Sequence, residues 1–236
     1  MSKDLADWKS ALVADAKKTA VAEGTGGNYI SLKGGRMTYQ EQTVPNDKLD
    51  AIVVANIHER TMYDRPYDPD DTGPPDCFAQ ATEAGDLVPH PNVPNPINPT
   101  CKGCPKAEFG SAKQGKGPAC KTYRKLALMP AEADPASAEL AVMRVPPTSV
   151  RNFSQYASKV AGATGLPPWG VITTVGVRPD PKTQFQVTFD GQNPVGDDTK
   201  LAAIFASIDG AEAMLMTPYD YEVKDKQANS KGASKY

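Results

Sequence analysis

The sequence predicts a mainly β chain with a few helices, an α+β fold, and three observations predict it. Apolar runs of strand length recur along the chain, two of them bounded by turn signals at Gly34-Gly35 and at Arg178–Lys182. Amphipathic helical stripes appear at 150–160 and 201–215, on either side of the last strand pair, with no helix-bundle or βαβ repetition. All four cysteines fall in Cys77–Cys120, inside a pattern-poor stretch at about 65–122. Five or more strands, with one helix before the final pair, follow the chain order of an OB-type barrel. The predicted organisation is therefore an N-terminal amphipathic helix (1–25), a single OB-like domain (26–216) with a metal-stabilised loop insertion at 65–122, and a flexible tail (217–236).

Each element has a local reason. Leu5, Trp8, Leu12 and Ala16 recur at helical spacing and Gly24–Gly27 ends that helix. Tyr29–Leu32 and Met37–Tyr39 flank Gly34-Gly35 as a hairpin, and residues 49–64 read as a strand. The Pro-, Asp- and Asn-rich stretch 65–100 predicts little regular structure beyond Cys77-Phe78-Ala79. Residues 124–129 and 140–145 read as two strands. Thr148-Ser149 offers an N-cap to a helix carrying Val150, Phe153, Ala157 and Val160, ended by Gly162 and Gly165. In the hairpin 169–190, Val171, Thr173, Val175 and Val177 share one face, as do Phe185, Val187 and Phe189. Asp197-Asp198-Thr199 introduces the last helix, with Leu201, Ile204, Phe205, Ile208 and Leu215. Phe153, Phe185, Phe189 and Phe205 are assigned to the core.

Composition limits the function classes. The chain has 236 residues, 39% hydrophobic and 23% charged, with a net charge of −2. No apolar run reaches the ~18–20 residues needed to span a bilayer, and no signal-peptide pattern opens the chain, which predicts a cytoplasmic protein without a membrane partner. Charge is uneven. Asp64, Asp68, Asp70, Asp71, Asp76, Glu83 and Asp86 face only Arg65, whereas Lys102, Lys106, Lys113, Lys116, Lys121, Arg124 and Lys125 face only Glu108. The second run makes a strong local positive field on a near-neutral chain.

Cys77, Cys101, Cys104 and Cys120 are spaced C-x23-C-x2-C-x15-C. Cys101-Lys-Gly-Cys104 resembles one knuckle of a zinc site, and four thiolates suffice for closed tetrahedral zinc. The neighbouring lysines are expected to favour the thiolate form. Two disulfides and an iron–sulfur cluster are the alternatives; nothing signals an oxidising compartment and the ferredoxin cysteine ladder is absent. His58 and His90 are left out of the site.

Catalytic signals are poor. There is no P-loop, no G-x-S-x-G and no H-E-x-x-H, and GSAKQGKG at 110–117 lacks the phosphate-loop order. Asp68, Asp70 and Asp71 read as a solvated acidic loop. Binding fits better, because single strands are held by a positive groove plus aromatic faces for stacking. The insertion interleaves Phe109 and Tyr123 with Lys102, Lys106, Lys113, Lys116, Lys121, Arg124 and Lys125, and Tyr29, Tyr39, Tyr63, Tyr67 and Trp169 are candidates to extend that platform. The alternative is a protein-interaction factor that modulates a polymerase through the Trp8 helix or the acidic 64–86 loop.

GNYISLKGG, PYDPDDTGPPDCFA, CKGCPKAEFGSAKQGKGPACKTYRKLALM and RVPPTSVRNFSQYA resemble a group of tailed-bacteriophage early proteins described as single-stranded DNA-binding. The likeness runs from about Gly26 to Phe189, and C-x2-C-P-x3-FGS followed by GKG and a last cysteine is its most specific part. The resemblance implies a non-catalytic protein of phage replication, recombination or transcription in a bacterial cytoplasm. It makes the four cysteines the metal ligands and puts Lys113, Lys116 and Lys121 on the DNA side. The tail departs from the acidic, partner-recruiting type by carrying Lys224, Lys226, Lys231 and Lys235.

Overall fold

The computed structural model describes residues 28–65, 73–113 and 115–221. The predicted N-terminal helix, Tyr67, the Asp68–Asp71 cluster and residues 222–236 lie outside the described residues.

One sheet organises the chain. Its strands are β1 (Tyr29–Ser31), β2 (Thr38–Tyr39), β3 (Gln42–Thr43), β4 (Lys48–Met62), β5 (Cys77–Ala81), β6 (Lys121–Pro130), β7 (Ala141–Val145), β8 (Val171–Asp180) and β9 (Gln184–Pro194). The order is β3-β2-β1-β7-β6-β4-β8-β9, with β5 added to β4. Only β1 and β7 pair parallel. Helix α1 (Val150–Thr164) follows β7, and helix α2 (Asp198–Leu215) follows β9.

Strand β4 is the spine. At 15 residues it is the longest strand of the sheet. Residues 51–61 pair with β6 along one edge, while 48–51 pair with β8 and 58–62 with β5 along the other. The register slips between Val53 and Ala55, the mark of a bulge. An extra residue bends a strand and raises its twist, which lets the sheet curl into a half-barrel.

Alternation around the bulge feeds two cores. Val53, Leu126, Leu128, Met143 and Val187 pack with Phe153, Tyr156 and Val160 of α1. Ile52, Ile57, Ala127, Met129 and Val142 pack with Ile204, Ala211 and Leu215 of α2 on the other face. The loop after β1 closes on β9, where a Cβ on Gly35 would stand 3.3 Å from that of Phe185.

Most expected elements are present, with informative differences. Ser149 precedes α1 but caps nothing with its side chain; its Oγ accepts from the Val187 amide at 2.9 Å, joining the helix start to β9. Asp197 does cap α2, accepting from Thr199 and Lys200. Phe205, assigned to the core, is 66% exposed on α2, where its ring meets Trp169 at 5.9 Å between ring centroids. Residues 217–221, given to the tail by sequence, pack down: Tyr219 donates to Glu59 at 3.2 Å and Tyr221 to the Pro75 carbonyl at 2.7 Å. Among the described residues no helix is long and apolar enough to cross a membrane.

Candidate thiol cavity and basic insertion

The far end of β4 gathers the cysteines. Cys77 opens β5 opposite Met62, and Cys120 immediately precedes β6. Between Cys101 and Cys104, Gly103 takes a left-handed φ of +73°, a turn that favours glycine. Cys104 heads a short turn in which the Ala107 amide donates to its carbonyl at 2.9 Å, and the Cys120 amide donates to the Lys106 carbonyl at 2.8 Å. All four thiols therefore line one cavity of about 20 Å³, together with Arg60, Met62 and Ile97. Each cysteine is free.

The surroundings work against ionised thiols. Burial pushes Cys120 up to about 12; Arg60 pulls down, and the other three thiols add to the rise. Burial also raises Cys77 and Cys101. Of the lysines named in the sequence reading, Lys106 lines the cavity; the cation that lowers Cys101 and Cys120 is Arg60, from β4. Its Nη1 donates to the Cys101 carbonyl at 3.0 Å, and its Nε is buried without a partner. The Ile97 amide donates a hydrogen bond to the Cys77 thiol.

Four thiols around a space the size of one ion, beside an orphaned guanidinium N–H, suit a soft divalent cation by chemistry. In geometry, no group of three His, Cys, Asp or Glu side chains among the described residues stands in ligating position.

The basic insertion rises from this cavity. Its tip is held by its own backbone: the Gly110 amide donates to the Lys116 carbonyl at 3.0 Å and the Ala112 amide to the Gly117 carbonyl at 3.1 Å. Ser111 Oγ donates to the Lys106 carbonyl and accepts from the Ala119 amide, both at 2.9 Å. Phe109 stands at this tip, 82% exposed. Lys102, Lys113 and Lys116 are exposed, whereas Lys106 and Lys121 are half-buried. Lys113 Nζ also meets the Asp64 carboxylate at 3.0 Å, in an exposed pair.

The remaining three candidates turn inward. They lie on the half-buried first part of β6 and are engaged by side chains of β4, β7 and α1. Lys125, with a side chain 12% exposed, pairs with Glu59 at 2.9 Å. Tyr123 is covered by the Arg144 guanidinium, 3.5 Å from its ring centroid. Arg124 donates to Asn56 at 2.7 Å and sits over the Phe153 ring. Tyr123, Arg124 and Lys125 are thus committed to the fold and do not present the outer cationic face the sequence reading gave them.

Sequence reasoning passed over Glu59, Arg60 and Arg144. The available signal was the run His58-Glu-Arg60 inside the most apolar strand of the chain. His90 is packed, stacking on Phe78 at 4.6 Å, with its Nδ1 accepting from the Asn92 amide.

Comparison with protein-family models, with curated proteins and with solved structures returns no match.

Proposed function

We propose that the protein binds single-stranded DNA without catalysing a reaction, through the insertion between Cys101 and Cys120. The observation that carries this reading is Phe109. A phenyl ring left 82% in water, on a loop tied by its own hydrogen bonds and flanked by exposed Lys102, Lys113 and Lys116, adds nothing to the core and is suited to stacking against a base. The resemblance to phage single-stranded DNA-binding proteins points the same way, toward replication, recombination or transcription. In this reading the curled sheet is an OB-like barrel and the thiol cavity holds one structural zinc ion. Zinc supplies no chemistry to a substrate there; it neutralises thiolates and fixes the base of the loop.

Fluorescence anisotropy with a labelled oligo(dT) tests the reading. Lys113→Glu with Lys116→Glu lowers affinity at least tenfold without moving the melting temperature, and flattens the salt dependence by about 0.7 per lost phosphate contact. Unchanged affinity removes the insertion from the binding surface. The alternative, a protein-interaction factor, is favoured by the exposed Phe205 beside Trp169. It predicts no oligonucleotide binding at low salt.

A further inference from the structure

At the opposite end of β4 from the thiol cavity, a groove of about 250 Å³ opens between α1 and the β8–β9 hairpin. Helix α1 contributes Asn152, Gln155 and Lys159 to it, and the hairpin contributes Arg178, Thr188 and Phe189. Thr188 pairs with Gly176, which pairs with Lys48, so the groove belongs to the Lys48 end of the spine. The thiol cavity belongs to the Met62 end. At ~3.3 Å per residue the two sites lie on the order of 40 Å apart.

The groove has the chemistry of a nucleotide site. Arg178 donates from Nη2 to the neutral Gln186 Oε1 at 3.2 Å; the Asp180 carboxylate, which accepts from Thr183 and the Lys182 amide, also feels its charge without forming an ion pair with it. Lys159 meets Asp190 only loosely, at 3.9 Å, with both side chains exposed. Two exposed cations therefore face the same opening, each with one carboxylate nearby but none in a close ion pair. Gln155 makes no hydrogen bond to any described residue, so its amide is available as donor and acceptor to a base edge. Asn152 is anchored by donating to the Val187 carbonyl at 2.8 Å. Phe189 is held edge-on by Phe153, at 5.2 Å and 72°, which fixes its ring at the groove wall.

We propose that this groove is a second contact for single-stranded DNA, with Arg178 and Lys159 taking a phosphate and Gln155 and Phe189 taking the attached base. The proposal rests on the DNA-binding reading and extends it: one strand runs from the insertion to the α1–β9 groove along the length of β4.

Two measurements on the full-length protein test it. In an NMR titration, thymidine 5′-monophosphate at millimolar concentration shifts the side-chain amide signals of Asn152 and Gln155. Lys159→Ala with Arg178→Ala abolishes those shifts, and Lys113→Glu with Lys116→Glu leaves them in place. In anisotropy, the groove variant lowers affinity for (dT)30 about tenfold and reduces the salt slope by about 0.7, one phosphate contact. Amide signals that stay put with the mononucleotide, or an unchanged (dT)30 affinity, overturn the groove. If (dT)30 still binds through the insertion, only this inference falls; if (dT)30 does not bind at all, the DNA-binding reading falls with it. Both groove side chains are exposed, so an unchanged melting temperature certifies the fold of the variant.

Discussion

Arg144 Nε lies 2.6 Å from a carboxylate oxygen of Glu59, a side chain with no exposed surface. The other oxygen of Glu59 receives Lys125 at 2.9 Å, Gln80 at 3.1 Å and the Tyr219 hydroxyl at 3.2 Å. Arg144 also donates to Thr61 at 2.9 Å. One carboxylate therefore joins β4, β5, β6 and β7 with the segment that follows α2. Burial pushes Glu59 upward, but Arg144 and Lys125 outweigh it and hold the group below the usual carboxylate range.

Replacing Glu59 leaves two cations in the interior without a counter-charge. Glu59→Ala is expected to cost about 3–5 kcal/mol in urea unfolding, the range for breaking a buried pair on one side. The pH response follows from the lowered folded value. The unfolded chain takes up the proton first, so the stabilisation is present above the ordinary carboxylate range and is lost as pH falls through the folded value. Glu59→Gln should flatten that acid limb; an unchanged limb would show the carboxylate to be uncoupled from folding.

His58 gives a second, separable acid response. Burial lowers it to about 4, with Arg124 and Arg60 adding to the drop. Between about 6.5 and about 4 the unfolded chain therefore binds a proton that the folded chain refuses, and stability falls as pH falls through that window. His58→Gln removes the ionisable group, and its urea midpoint should vary less than that of the wild type between those limits. Identical slopes would place His58 in ordinary solvent.

Legibility in the sequence follows the range of the forces. The β8–β9 hairpin and α1 could be read because Val171, Val175 and Val187 alternate, and Phe153 and Val160 recur, over distances where periodicity is local. The bulge between Val53 and Ala55 could not be read, since it arises from fitting β4 to β6, β8 and β5 together. The same holds for charge. Lysines 113 and 125 look alike in a composition count, yet one sits on a loop tip and the other opposite Glu59. The cysteine spacing announced a cluster, but Arg60 reaches it through the pairing of β4 with β5 and β6, which no local pattern reveals. Phe205 misled because a helical stripe gives the spacing of a buried face and not its width.

The thiol cavity makes a stability prediction. If it holds zinc, protein as isolated carries about one equivalent of metal, and a chelator lowers the melting temperature by more than about 5 °C, since ~1 kcal/mol moves a chain of this size by 2–4 °C. Four thiolates and a divalent cation leave a net charge of −2, and Arg60 is the positive group aimed at it. Arg60→Met should weaken zinc in chelator competition by about 10–100-fold, the usual effect of removing an outer partner of a metal site. Metal-free protein with an unshifted melting temperature would refute the ion and leave the cysteines as packed thiols.

Phe109 separates stacking from charge. Its ring makes no aromatic contact with a described residue and is almost wholly in solvent, so Phe109→Ala should leave the melting temperature where it is. A base stacked on it contributes about 1–3 kcal/mol, which predicts a 5- to 150-fold loss of oligo(dT) affinity. The loss should be equal at all salt concentrations, because no phosphate contact disappears, in contrast to the flattened slope of the Lys113 and Lys116 variants. An affinity that does not change would mean that the ring touches no base, and that the insertion, if it binds at all, does so by charge alone.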